Sequence, residues 1–137
     1  MSTQNYSSDI IFIGGNINSC LMAAAAAEAG AEVILIESRT YLGHEYCGTL
    51  RPWLKRENIN EMNSNICNLF FKKNEEIDFD ENIIPFKLGY FKEKLMRYLD
   101  ERGVKVIFSS EIAAIAQIED EIKGVIIGNK SGMELIT

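Results

Sequence analysis

The chain has 137 residues, a formal net charge of −6, 47% hydrophobic and 25% charged side chains, which suits one ordinary globular domain with a real core. The acidic balance, with Lys and Arg scattered, argues against a nucleic-acid footprint. No apolar run reaches the ~18 residues that span a bilayer, and no basic start with a cleavable end marks a secretory signal, so the expectation is no membrane partner and a cytoplasmic location.

Residues 1–8 are polar and expected to fray. Asp9 to Ile13 then form a short apolar run closed by Gly14-Gly15, the pattern of a buried parallel strand. Cys20 to Ala29 is dense in alanine and stops at Gly30, which predicts a helix small enough in section to lie close to a sheet. Glu32 to Glu37 is a second strand, apolar except at its ends. From Ser38 to Pro85 the pattern weakens: Arg51-Pro52-Trp53-Leu54 is punctuated, Asn58–Phe71 has helical character, and Glu75–Asn82 is acidic and loop-like. Leu88, Phe91, Leu95, Tyr98 and Leu99 recur at helical spacing, Gly103 ends that helix, and Val104–Phe108 is a third strand. The last stretch alternates in three pieces, Glu111–Ile118, Glu121–Ile127 and Met133–Ile136, which predicts an antiparallel meander.

The chemistry-bearing motif lies at the first strand–helix junction. A strand that ends in glycines and opens a helix offers backbone N–H groups and a positive dipole end, where a diphosphate fits. The dinucleotide fingerprint is G-x-G-x-x-G with an acid roughly 20 residues on that grips a ribose hydroxyl. Here the frame is Gly14-Gly15-Asn16-Ile17-Asn18-Ser19, and Glu37 closes the second strand. Gly14 keeps the tight turn. Asn16 stands where a missing Cβ lets the backbone approach the diphosphate, and it tolerates a left-handed backbone better than most residues. Ser19 replaces the glycine of close helix–strand packing. A plain strand-to-helix turn is the bland alternative, and Glu37 at the right spacing weighs against it. Arg39 is positioned to reach adenine or phosphate, though an exposed loop arginine serves equally as an explanation.

Strand, Ala-rich helix, strand ending in Glu37 and then Leu42-Gly43-His44 resemble the front of FAD-dependent oxidoreductases of the glutathione-reductase-like and succinate-dehydrogenase-like superfamily. In that family a GG pair after the acid covers the diphosphate; Gly43-His44 stands in its place. The resemblance implies a Rossmann-like parallel sheet with crossover helix plus β-meander, an α/β and incomplete FAD-binding domain over residues 1–137. It implies FAD as cofactor, cradled by Gly14, Gly15, Asn16, Ser19, Glu37 and Gly43, and a backbone contact to adenine at Ile112, which opens the meander. The family continues into a returning strand, a substrate domain and a Gly-Asp element, and this chain reaches Thr137 where that returning strand would begin. A second polypeptide completing the domain, or self-association, is therefore expected. The competing readings are a non-catalytic interaction subunit or relic, and an NAD-binding half-domain; the meander favours FAD.

The remaining residues carry less. Cys20, Cys47 and Cys67 lack CxxC spacing, and with the single His44 they make a poor metal set, so free buried thiols are expected. His44 as a general base and Cys47 as a redox thiol have no second residue beside them in the sequence. Trp53 and Phe70-Phe71 read as core, or as a face for segments beyond this chain. No catalytic residue is assigned.

Overall fold

The computed structural model describes residues 6–73 and 82–137. Strand β1 (Ile10–Ile13), helix α1 (Ile17–Glu28) and strand β2 (Val33–Ile36) follow in order. The two strands are neighbours and parallel, with Ile10 opposite Val33 and Ile13 opposite Ile36, so the intervening helix is the crossover that parallel pairing requires. α1 begins earlier than the alanine density suggests because Asn16 caps it: the Ser19 N–H donates to Asn16 Oδ1 at 2.9 Å. Its buried side chains, Cys20, Ala23 and Ala24, are small, which lets the helix lie close to the sheet.

The segment with the weakest sequence pattern holds helix α2 (His44–Cys47), strand β3 (Trp53–Lys55), helices α3 (Arg56–Glu61) and α4 (Ser64–Phe70), and strand β4 (Ile83–Pro85). β3 and β4 pair antiparallel as a separate two-stranded sheet. The single helix expected over Asn58–Phe71 is two helices. Met62 and Asn63 both have extended backbone, and Asn63 Oδ1 accepts from the Ile66 N–H, so a second cap restarts the helix. The acidic stretch within Glu75–Asn82 lies outside the described residues except for Asn82.

Helix α5 (Leu88–Asp100) turns Phe91, Leu95 and Leu99 inward and leads to β5 (Lys105–Ile107), which pairs parallel with the other edge of β2. The main sheet therefore runs β1-β2-β5. Strands β6 (Glu111–Ile118), β7 (Glu121–Asn129) and β8 (Gly132–Ile136) form the expected meander.

Burial along β2 shows how the layers fit. All four of its residues are buried, because alternate side chains meet two different cores. Val33 and Leu35 pack with α1 and α5 residues such as Ala23, Phe91 and Leu95, whereas Ile34 and Ile36 pack with Val125, Ile127 and Ile136 of the meander. Phe70 and Phe71 join the helical core, with Phe70 stacked on Phe91 at 4.9 Å between ring centroids. Trp53 does not: strand alternation turns its neighbour Leu54 inward and leaves the indole 42% exposed.

The first described residues meet the last one. Of the stretch expected to fray, residues 1–5 lie outside the described residues, while Tyr6 and Ser8 are tied to the last residue. The Ser8 N–H donates to the Thr137 carbonyl at 2.8 Å, and the Thr137 N–H to the Tyr6 carbonyl at 3.0 Å. Among the described residues nothing pairs with the far edge of β1, where Ile13 is 55% exposed.

Candidate dinucleotide-binding site

The structure brings Gly14, Gly15, Asn16, Ser19, Glu37 and Gly43 together at the C-terminal end of the parallel strands, where ligands bind in open α/β sheets. Gly14 carries the left-handed conformation of the turn, with φ +91°, and its N–H still donates to the Ile36 carbonyl at 2.8 Å. Asn16 is extended (φ −71°, ψ 165°), so its tolerance of a left-handed backbone goes unused; its side chain caps α1 instead. The chain passes from Gly14 straight into the helix through Gly15. A Cβ at Gly15 would lie 2.5 Å from Leu42 Cδ2 and 2.8 Å from Glu37 Oε2, so the requirement for glycine comes from the chain's own side chains.

Glu37 is the most constrained polar residue of the site. It is 1% exposed, and its carboxylate accepts from the Gly15 N–H at 2.5 Å, the Arg39 N–H at 2.8 Å, the Ser38 hydroxyl at 3.2 Å and the Arg39 guanidinium at 3.3 Å. Burial alone pushes its pKa up. The hydrogen bonds from the Arg39 and Gly15 amides, Ser38 and the Arg39 side chain outweigh burial and hold the carboxyl below its ordinary value. Glu37 is thus an ionised acid fixed against the glycine turn, with the Arg39 guanidinium half-exposed beside it.

The loop after β2 folds back over the turn. Gly43, at φ +66°, donates its N–H to the Gly15 carbonyl at 2.7 Å, and a Cβ there would lie 2.5 Å from the buried Phe91 ring. Two residues on, Glu45 Oε1 accepts from the Ile17 N–H at 2.5 Å, on the first turn of α1. Sequence reasoning passed over Glu45; its signal was a carboxylate one residue past the altered GG pair. Ile112 is half-buried on β6 opposite Ile127 and packed against the core of Ile34 and Ile36.

The other candidates have quieter surroundings. Burial pushes the Cys20 thiol up to about 12, with Glu45 and Glu37 adding to it, and burial likewise raises Cys47, against the opposing effect of Lys92. Neither thiol is poised as a thiolate. Among the described residues no cluster of His, Cys, Asp or Glu forms a metal site, and no helix is long and apolar enough to cross a membrane.

The profile of the FAD dependent oxidoreductase family matches residues 9–137 of this sequence. The chain belongs to that family. Solved structures show the same fold. A geranylgeranyl bacteriochlorophyll reductase-like protein from Thermoplasma acidophilum superposes with a TM-score of 0.67 at 17% identity, covering 96% of this chain and 37% of its own. THI4 of Thermovibrio ammonificans gives 0.68 at 12% identity, over 96% of this chain and 54% of its own. The 3-ketosteroid-delta4-(5alpha)-dehydrogenase of Rhodococcus jostii gives 0.60 at 12% identity, over 99% and 45%. No curated protein sequence matches. By family and fold the chain is a partial FAD-binding domain, and it spans about a third to a half of the length of those solved chains.

The fit to the family's cofactor is mixed. Glu37 directly follows β2 and Gly14 is left-handed, as the fingerprint expects, but the Glu37 carboxylate is buried and bonded within the chain, so it is not presented to a ribose hydroxyl. Three amides of the turn already have partners within the chain: Ile17 N–H is bonded to Glu45, Ser19 N–H to Asn16 and Gly15 N–H to Glu37. A diphosphate that used the Ile17 amide would have to displace the Glu45 carboxylate.

Proposed function

We propose that this chain is the ADP-holding front of an FAD-dependent oxidoreductase, with low intrinsic affinity for the nucleotide, and that it acts with a further polypeptide that encloses the flavin ring. The observation that carries this reading is the β1–α1–β2 unit in which buried, ionised Glu37 meets the amide of Gly15 beneath a left-handed Gly14. The candidate contacts are Gly14, Gly15, Asn16, Ser19, Glu37, Arg39, Gly43 and the backbone at Ile112. Redox chemistry in such proteins belongs to the isoalloxazine ring, and the protein binds and orients it; no side chain of this chain is assigned to catalysis.

One observation favours a second reading, a non-catalytic interaction module on a dinucleotide fold: the amides of Gly15, Ile17 and Ser19 already have partners within the chain. Titration with ADP and FAD separates the two. The first reading expects a protein that purifies without a stoichiometric flavin band yet binds ADP measurably, and that binds it more tightly as N16G. Glycine at a helix N-cap costs only a few tenths of a kcal/mol against Asn, and it frees the Ser19 amide. Absence of ADP binding in both proteins leaves the interaction module standing, and a yellow protein as purified refutes the low affinity.

A further inference from the structure

The N-terminal turn of α1 already has an anion on it. Glu45 reaches it from the first turn of α2, and its Oε1 lies 2.5 Å from the Ile17 amide nitrogen. The approach is enforced by the segment before it. Leu42 is buried, and its side chain occupies the space a Cβ at Gly15 would need. The Gly43 N–H is bonded to the Gly15 carbonyl at 2.7 Å, and Gly43 is pressed against Phe91 so closely that no Cβ fits. With its backbone stitched to the turn in this way, residue 45 is delivered to the helix end.

A carboxylate there does what a phosphate does. It places anionic oxygen on a free N–H at the positive end of a helix dipole. Nothing else in the first turn of α1 carries a negative charge. The second carboxylate oxygen, Oε2, is buried without a hydrogen bond, and its nearest cationic candidate, His44 Nδ1, is 3.8 Å away and equally without one. Glu45 is therefore held on this side by a single strong bond.

We propose that Glu45 is an internal stand-in for the nucleotide diphosphate, a residue that sets which ligands the turn accepts. This rests on the reading that Gly14–Ser19 is the nucleotide turn. A diphosphate entering the site meets both a taken donor and a like charge, so it binds only after the Glu45 side chain swings out. A ligand without phosphate meets neither obstacle. Glu45 thus lowers affinity for ADP and for inorganic pyrophosphate while leaving adenosine unaffected.

The test uses the full chain and the variants E45A and E45Q, titrated calorimetrically with ADP, inorganic pyrophosphate and adenosine. Amide spectra of the free proteins supply a reading that needs no ligand. The expected result is a gain of tenfold or more in affinity for ADP and pyrophosphate in E45A, a smaller gain in E45Q, and no change for adenosine. The Ile17 amide proton should move upfield in free E45A, because its bond to a carboxylate is lost. E45Q keeps the side-chain size and an acceptor oxygen, so it carries the test if E45A fails to fold. Equal and measurable ADP binding by wild type and both variants overturns the role of Glu45 while the nucleotide reading stands. No ADP binding by any of the three overturns both.

Discussion

Glu37 offers the most demanding test of how this site is held together. In E37Q the side chain keeps its size and loses its charge. Four donors converge on the native carboxylate, and two are backbone amides, Gly15 at 2.5 Å and Arg39 at 2.8 Å, one to each oxygen. A glutamine has one acceptor oxygen, so its NH2 must face one of those amides, leaving two donors opposed in a site that is 1% exposed. A hydrogen bond to a charged group contributes about 1.5–3 kcal/mol and a neutral one about 0.5–1.5, while an amide left without its partner costs about 1–3 kcal/mol. The lower cost of burying a neutral amide offsets part of this, so the expected loss is about 3 kcal/mol. For a domain of this size that corresponds to a fall in Tm of roughly 10 °C. The pH dependence follows from the lowered pKa. The folded state prefers ionised Glu37, so its contribution is fully present above the unfolded carboxyl value of about 4.3 and is lost as pH falls through the lower folded value. Urea unfolding of wild type and E37Q, followed by circular dichroism from pH 7 to pH 3.5, should show a gap that is constant above pH 5 and narrows below it. A gap under about 0.5 kcal/mol at pH 7, which is no more than an ordinary surface substitution costs, would refute the reasoning. So would a gap that does not change with pH.

Gly43→Ala forces a left-handed backbone onto a residue with a Cβ and drives that Cβ into Phe91, so unfolding by urea should show a loss of about 2–4 kcal/mol; a variant as stable as wild type means the loop is not clamped on α5. The free edge of β1, with Ile10 and Ile13 exposed, should make the chain self-associate or pair with an added strand at micromolar concentration, because an unpaired apolar edge templates such pairing. Sedimentation of wild type against I13K checks this, and a stable monomer that unfolds cooperatively and pairs with no added strand removes the case for a completing partner.

Much of the frame was legible along the chain because the period of the apolar pattern reports the period of the backbone. Ile10–Ile13 and Val33–Ile36 are continuous apolar runs rich in β-branched residues, and both are strands in a parallel sheet. Leu88–Asp100 repeats at helical spacing, and the last stretch alternates, so α5 and the meander fall where those rhythms place them. The glycine turn and the acid after β2 were legible for a related reason: backbone geometry and spacing restrict what can stand there. The segment from Ser38 to Pro85 was opaque because its structure is decided by side-chain capping and by distant contacts. Asn63 splits one expected helix into two, and strand alternation exposes Trp53 while Phe70 is buried against α5.

The sequence by itself determined that residues 9–37 build a strand–helix–strand unit with an acid placed near a glycine turn, since each of those choices is local. Only the tertiary structure decided what the turn is bonded to. Glu37 and Glu45 are far from Gly15 and Ile17 along the chain, and no local pattern says which side chain each amide takes. Packing of Leu42 beside Gly15 and of Gly43 against Phe91 brings the loop over the helix end. A positive helix terminus then takes the nearest anion, and here that anion belongs to the chain itself.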